Sequence, residues 1–179
     1  SSDYIILLGD IFDMLIANHN SYFDDFKNFF NYLELLGNEG KKIIYFEGNH
    51  DVHITSLFKT FNAKHRFKYP IEIIKKNKVI NFEDKQIYLS HGDDIEVENG
   101  MYETWKSFLT SKPVEVFFNL MPSLIINWIG ALASSTSKTN GRKSYDFDKN
   151  KEKFRKSARV HALKGHDFII SGHSHVKDN

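Results

Sequence analysis

Four short apolar runs, each closing on glycine or histidine beside Asp, Asn or His, constrain this chain more than any other feature. Residues 4–8 lead into Gly9-Asp10-Ile11-Phe12-Asp13, and residues 43–46 into Gly48-Asn49-His50-Asp51. Residues 87–90 lead into His91-Gly92-Asp93-Asp94, and residues 168–171 into Gly172-His173-Ser174-His175. An apolar run this short, bounded by turn residues, reads as a buried strand. In open α/β sheets, ligands gather at the carboxyl ends of the strands. Four strands ending in the same residue types therefore predict one metal site rather than four separate loops.

Between these runs the pattern alternates. Ser21 is expected to open a helix, with Asp24 in the Glu place of a capping box. Phe23, Phe26, Phe30 and Leu33 then recur at helical spacing, and Gly37 and Gly40 end the run. Strand, helix and the strand at 42–47 form a βαβ unit, which predicts a parallel sheet carrying helices. A short helix at 55–61 follows, then strands at 71–74, 79–82 and 86–90. The last two are joined by the turn Glu83-Asp84-Lys85, so the sheet is expected to become partly antiparallel. Beyond it come a helix at 101–111, the apolar stretch 114–133, the polar segment 134–145 and a basic helix at 148–164. The chain thus divides into an α/β core, residues 1–100 and 166–179, and a helical cap insertion at 101–165, longer than an ordinary loop. Because residue 1 stands almost at the first strand, a further core strand is expected upstream, and more strands beyond residue 179.

Composition narrows the chemistry. The chain has no cysteine, so thiolate zinc is excluded and any metal must be held by oxygen and imidazole nitrogen. Asp, Asn and His together suit Mn²⁺, Fe²⁺ or Zn²⁺ better than Ca²⁺, which takes oxygen alone. Two such cations side by side need a shared carboxylate, and Asp10 is the expected bridge. A net charge of +1 argues against a general polyanion binder, so no nucleic-acid partner is expected.

These four motifs, in this order, resemble the calcineurin-like metallophosphoesterases. The resemblance implies a metallophosphoesterase-type αββα sandwich of mixed sheets flanked by helices. It implies two divalent metal ions, Mn²⁺ first with Fe²⁺ or Zn²⁺ as alternatives, bridged by Asp10. Asn49, His91 and His173 would serve one metal and His175 the other, while His50 would contact the phosphate or protonate the leaving group. The family's Asp-x-His motif on the first strand has no counterpart here and is expected upstream of Ser1. Such a pair activates water for in-line attack, so no covalent enzyme intermediate is expected. Asp13, Asp51, Asp93 and Asp94 read as turn residues or as partners behind the ligands. His19, His53, His65, His161 and His166 fit no motif and read as surface or structural.

The insertion bears on the substrate. Stretch 114–133 has about the length of a membrane span, but Glu115, Asn119, Pro122 and Asn127 interrupt it. It reads either as a buried helical hairpin broken at Pro122 or as an exposed apolar cap for acyl chains or a bilayer surface. Arg142, Lys143, Lys149, Lys151, Lys153, Arg155, Lys156, Arg159 and Lys164 suit either a solvated helix face or anionic headgroups. Residues 136–144 are similar to the cap segment of the UDP-2,3-diacylglucosamine hydrolases of lipid A synthesis. That similarity implies substrate contacts from Thr136, Asn140 and Lys143, with further contacts from Asn99 and Tyr102. It implies a lipid-linked sugar nucleotide as substrate, cleaved to UMP and 2,3-diacylglucosamine 1-phosphate by a cytoplasmic enzyme. The enzyme would sit peripherally on the inner membrane surface of a Gram-negative bacterium. Two departures stand: many members carry Arg at the position of His50, and Val176-Lys177 replaces Arg-Pro after the last motif. A hydrolase of soluble phosphomonoesters or nucleotides, and a non-catalytic metal-binding scaffold, remain alternatives.

Overall fold

Isoleucine and leucine at 5–7 and the run Ile43-Ile44-Tyr45-Phe46 put an apolar side chain on both faces of their strands, which only a sheet covered on both sides can bury. The computed structural model describes residues 3–93, 100–122, 125, 126, 128 and 147–173, and it has such a sheet. β1 (Tyr4–Leu7) pairs in parallel with β3 (Lys42–Phe46), with Ile6 beside Ile44 and Leu7 beside Tyr45. On the other side of β3 lies β5 (Glu72–Ile74), also parallel, with Tyr45 beside Ile73. A second sheet holds the hairpin β6 (Asn77–Phe82) and β7 (Lys85–Ser90), with β8 (Phe168–Ser171) parallel to β7. Between the two sheets Ile44, Phe46 and Leu89 pack with Ile6, Leu8, Ile74, Ile80 and Ile87.

On the outer face of the first sheet, Ile43 and Tyr45 meet the apolar sides of two helices, α2 (Lys27–Asn38) and α3 (Thr55–His65). Phe30, Leu33, Leu57, Phe58 and Phe61 fill this layer. Behind the second sheet, Tyr88 lies against His161 and His166, ring centroids 3.9 and 5.3 Å away, at the end of α6 (Phe147–Leu163). Helix, sheet, sheet and helix follow one another, so the αββα expectation is borne out.

Several local expectations are corrected. Ser21 does not cap: its backbone is already helical (φ −56°, ψ −28°) and its side chain makes no cap bond. The run it opens is two helices, α1 (Tyr22–Asp25) and α2, broken at Phe26 (φ −115°, ψ 34°). The break lets the Phe26 ring pack 4.2 Å from Phe12 in the loop after β1, so a tertiary contact outweighs helical periodicity. Gly37 does not end α2 but lies inside it, where a Cβ would come within 2.6 Å of the Phe67 ring; the turn falls at Gly40 (φ +75°). α3 continues past 61 to His65 and stops where Arg66 turns left-handed (φ 54°). Two-residue strands β2 (Leu15–Ile16) and β4 (Asp51–Val52) pair in parallel; elements so short leave no alternation to read.

In the insertion, α4 (Gly100–Leu109) is followed by α5 (Lys112–Leu120), with Pro113 in its first turn, where a missing N–H costs nothing. No residue of α5 is buried: Val116 and Phe117 are exposed and Leu120 is 80 % exposed. Within the stretch 114–133, Val114 and Phe118 are half-buried and Ile126 is buried. No helix among the described residues is long and apolar enough to cross a membrane. Helix α6 corresponds to the expected basic helix.

Candidate metal centre

Asp10 follows β1, Asn49 and His50 follow β3, His91 follows β7 and His173 follows β8. Because β1 adjoins β3, β7 adjoins β8, and the sheets face each other, all four ends meet in one place. The motif glycines permit the approach. A Cβ on Gly48 would lie 2.2 Å from Asp10 Oδ1, and one on Gly9 would lie 2.6 Å from His91 Nδ1. Any other residue at either position would push ligands apart. Asp10 (φ 52°) and His173 (φ 66°) occupy the left-handed region, disfavoured for L side chains and concentrated at functional sites.

The side chains converge. His91 Nε2 lies 3.1 Å from His173 Nδ1, 3.3 Å from Asn49 Oδ1 and 3.3 Å from Asp10 Oδ2. His173 Nδ1 lies 3.7 Å from Asp10 Oδ2, and ligand atoms of Asp10, His91 and His173 all fall within 4.8 Å of one another. His91 Nδ1 donates to the Leu8 carbonyl at 2.5 Å, which leaves Nε2 to present a lone pair inward. Asn49 Oδ1 and Asp10 Oδ2 each lie 3.3 Å from that nitrogen. Acceptors this close repel unless they share a proton or a cation, so the donor set fits a divalent metal held by oxygen and imidazole nitrogen.

Electrostatics agree with that reading. Burial works against the charge on Asp10, yet hydrogen bonds from His173, His91 and the His50 backbone hold its carboxyl well below the usual range. Burial likewise works against a charged His91, but the Asp10 carboxylate and the Leu8 carbonyl outweigh it and raise its pKa. Asp10 is therefore an anion in the protein, as a bridging ligand must be. Its other oxygen, Oδ1, accepts the His50 N–H at 2.9 Å, tying the two loops together.

His50 stands beside this group. Its Nδ1 donates to the Asp13 carbonyl at 2.9 Å, which leaves Nε2 available to a ligand. Asp51 is fully buried: its Oδ2 accepts the Ile11 N–H at 3.0 Å and the Tyr45 hydroxyl at 2.7 Å. Burial pushes the Asp51 carboxyl up to about 6, against the pull of those bonds. Asp93, also buried, pairs with Lys106 of α4, which links the third motif to the insertion.

The structure thus brings together Asp10, Asn49, His91 and His173, with His50 adjacent. His175, Asn99, Thr136, Asn140, Lys143 and Asp94 lie outside the described residues, and Tyr102 is described only as backbone on α4. Sequence reasoning passed over two contacts of the insertion. His53 Nε2 donates to Leu109 O at 2.7 Å while its Nδ1 faces Glu115 at 3.7 Å, and His19 Nε2 donates to Phe118 O at 3.1 Å. Neither histidine has a motif around it; only the position of α5 shows what each does.

The family model for calcineurin-like phosphoesterases matches residues 1–177. A search of curated proteins finds no significant match.

Proposed function

The chain belongs to the calcineurin-like phosphoesterases, and on that premise we propose that it hydrolyses the pyrophosphate of UDP-2,3-diacylglucosamine to UMP and 2,3-diacylglucosamine 1-phosphate. The observation that carries the reading is the convergence of Asp10, Asn49, His91 and His173 beneath an insertion whose α5 leaves Val116, Phe117 and Leu120 exposed. The phosphoryl centre belongs at the first, and acyl chains suit the second. Divalent cations, Mn²⁺ in this proposal, would activate water and offset charge on the phosphoryl oxygens. Asp10, Asn49, His91 and His173 would hold one of them, Asp10 shared with a second ion that His175 would serve. His50, fixed through Asp13 O, meets the phosphoryl or leaving oxygen with Nε2. Asn99, Tyr102, Thr136, Asn140 and Lys143 contact the sugar nucleotide.

The proposal includes a peripheral place on the cytoplasmic face of an inner membrane. There, exposed apolar side chains of α5 and Trp128 (65 % exposed) would meet the acyl region, and lysines and arginines of α6 the anionic headgroups. One observation favours a second reading: His50 stands where many diacylglucosamine hydrolases carry Arg, which suits a smaller, soluble phosphoester. The full chain loaded with Mn²⁺ distinguishes the two. Its kcat/KM on UDP-2,3-diacylglucosamine should exceed that on p-nitrophenyl phosphate at least about a hundredfold, given the contacts only the larger substrate makes. Equal or reversed rates would favour the soluble ester, and metal binding without turnover of either would favour a scaffold.

A further inference from the structure

The backbone at the expected bridging ligand needs support from outside the loop. Gly9 (φ +86°) and Asp10 (φ 52°) are consecutive left-handed residues. Asp adopts that conformation more readily than most side chains, but still at a cost on the order of 1–2 kcal/mol. Something outside the loop must fix it, and the next residue shows what does. Ile11 N–H donates to Asp51 Oδ2, and the same oxygen takes the Tyr45 hydroxyl. Tyr45 is fully buried on β3, its ring against Phe58 (centroids 5.3 Å apart), so its hydroxyl is a rigid anchor. Asp51 is secured from the other side, where Leu15 N–H donates to His50 O at 2.9 Å and β4 pairs with β2. A phenylalanine would fill the same core space without burying a hydroxyl, which is costly unless the hydroxyl has a partner.

We propose that Tyr45 is a positioning residue for the metal centre. Through Asp51 its hydroxyl fixes the Ile11 N–H, and with it the left-handed Asp10 whose carboxylate faces His91 and His173. The strand that carries Asn49 at its end thereby also sets the geometry of the ligand on the neighbouring strand. This inference rests on the metal centre being real, and its test separates the two claims.

The test is calorimetric titration of the metal-free full chain with Mn²⁺, for wild type, Tyr45→Phe and Asp51→Asn, alongside apo melting temperature and steady-state kinetics on bis-p-nitrophenyl phosphate. Tyr45→Phe should bind Mn²⁺ about tenfold more weakly, the scale seen when a partner behind a ligand is lost. Its kcat should fall with little change in KM. Asp51→Asn keeps an oxygen for both donors and should stay within about threefold of wild type. Wild-type Mn²⁺ affinity and kcat in Tyr45→Phe would overturn the proposal, whether or not its melting temperature drops. Should Tyr45→Phe not fold, Asp51→Ala, which removes the acceptor of both donors, decides: Mn²⁺ affinity about tenfold weaker supports the proposal, and wild-type affinity contradicts it. Failure of wild type itself to bind Mn²⁺ would instead contradict the metal centre.

Discussion

At the scale of single residues, glycine explains as much of the centre as its ligands do. Gly48 has no conformational strain to justify it; what it provides is room, since a Cβ there would sit almost on Asp10 Oδ1. Gly48→Ala should therefore fold, because the loop can shift, yet lose about tenfold or more in Mn²⁺ affinity by displacing that oxygen. Calorimetry on the variant checks this; unchanged affinity would mean that Asp10 is not a ligand. Asp51 gives a second expectation, for the metal-free protein. Its folded pKa of about 6 lies above the ordinary aspartate value of about 3.9, so the folded state binds its proton more tightly than the unfolded chain. The stabilisation is complete below about pH 4 and is lost as pH rises through about 6, on the order of 3 kcal/mol in all. Denaturant melts across that window should show the loss in wild type and its absence in Asp51→Asn. The cluster of Asp10, Asn49, His91 and His173 was legible in the sequence because each stands beside a glycine at a strand end. Tyr45 was not, since a tyrosine in an apolar strand looks like any core residue until the partner of its hydroxyl is known.

At the scale of elements, polar contacts among the described residues join α4 and α5 to the core. His53 bonds Leu109 O, His19 bonds Phe118 O, the Asn18 N–H meets Asn119 Oδ1 at 3.0 Å, and Lys106 pairs with Asp93. Removing a buried donor leaves its acceptor unsatisfied, at a cost of about 1–3 kcal/mol. His19→Ala should accordingly raise amide exchange in α5 about tenfold or more, while exchange in β3 is unchanged. Equal protection in α5 before and after the substitution would show that other contacts hold it. Helices α2, α3, α4 and α6 and the longer strands were legible from spacing. The break at Phe26 and the β2–β4 pair were not, because each exists through a partner distant in sequence: Phe12 for the first, the opposing strand for the second.

At the scale of the whole molecule, two sheets face each other so that strands distant in sequence end at one point. The first sheet needs both faces covered because Ile43 and Tyr45 point one way and Ile44 and Phe46 the other. That requirement is visible in four consecutive apolar residues, and so the layered α/β architecture could be read before the structure was seen. The separation into two sheets followed from the motif resemblance and not from the apolar pattern, since a hairpin can extend one sheet or start another. Which occurs depends on whether Ile80, Ile87 and Leu89 find an apolar face opposite, and here they do. The central claim is that the strand ends hold a metal on which phosphoester hydrolysis depends. Its most direct test is hydrolysis of bis-p-nitrophenyl phosphate by metal-stripped protein titrated with Mn²⁺, in wild type and His91→Ala. Wild-type turnover should rise in step with bound metal, and His91→Ala should require about ten- to a hundredfold more Mn²⁺ or stay inactive. Turnover that survives metal removal, or His91→Ala behaving as wild type, would contradict the account.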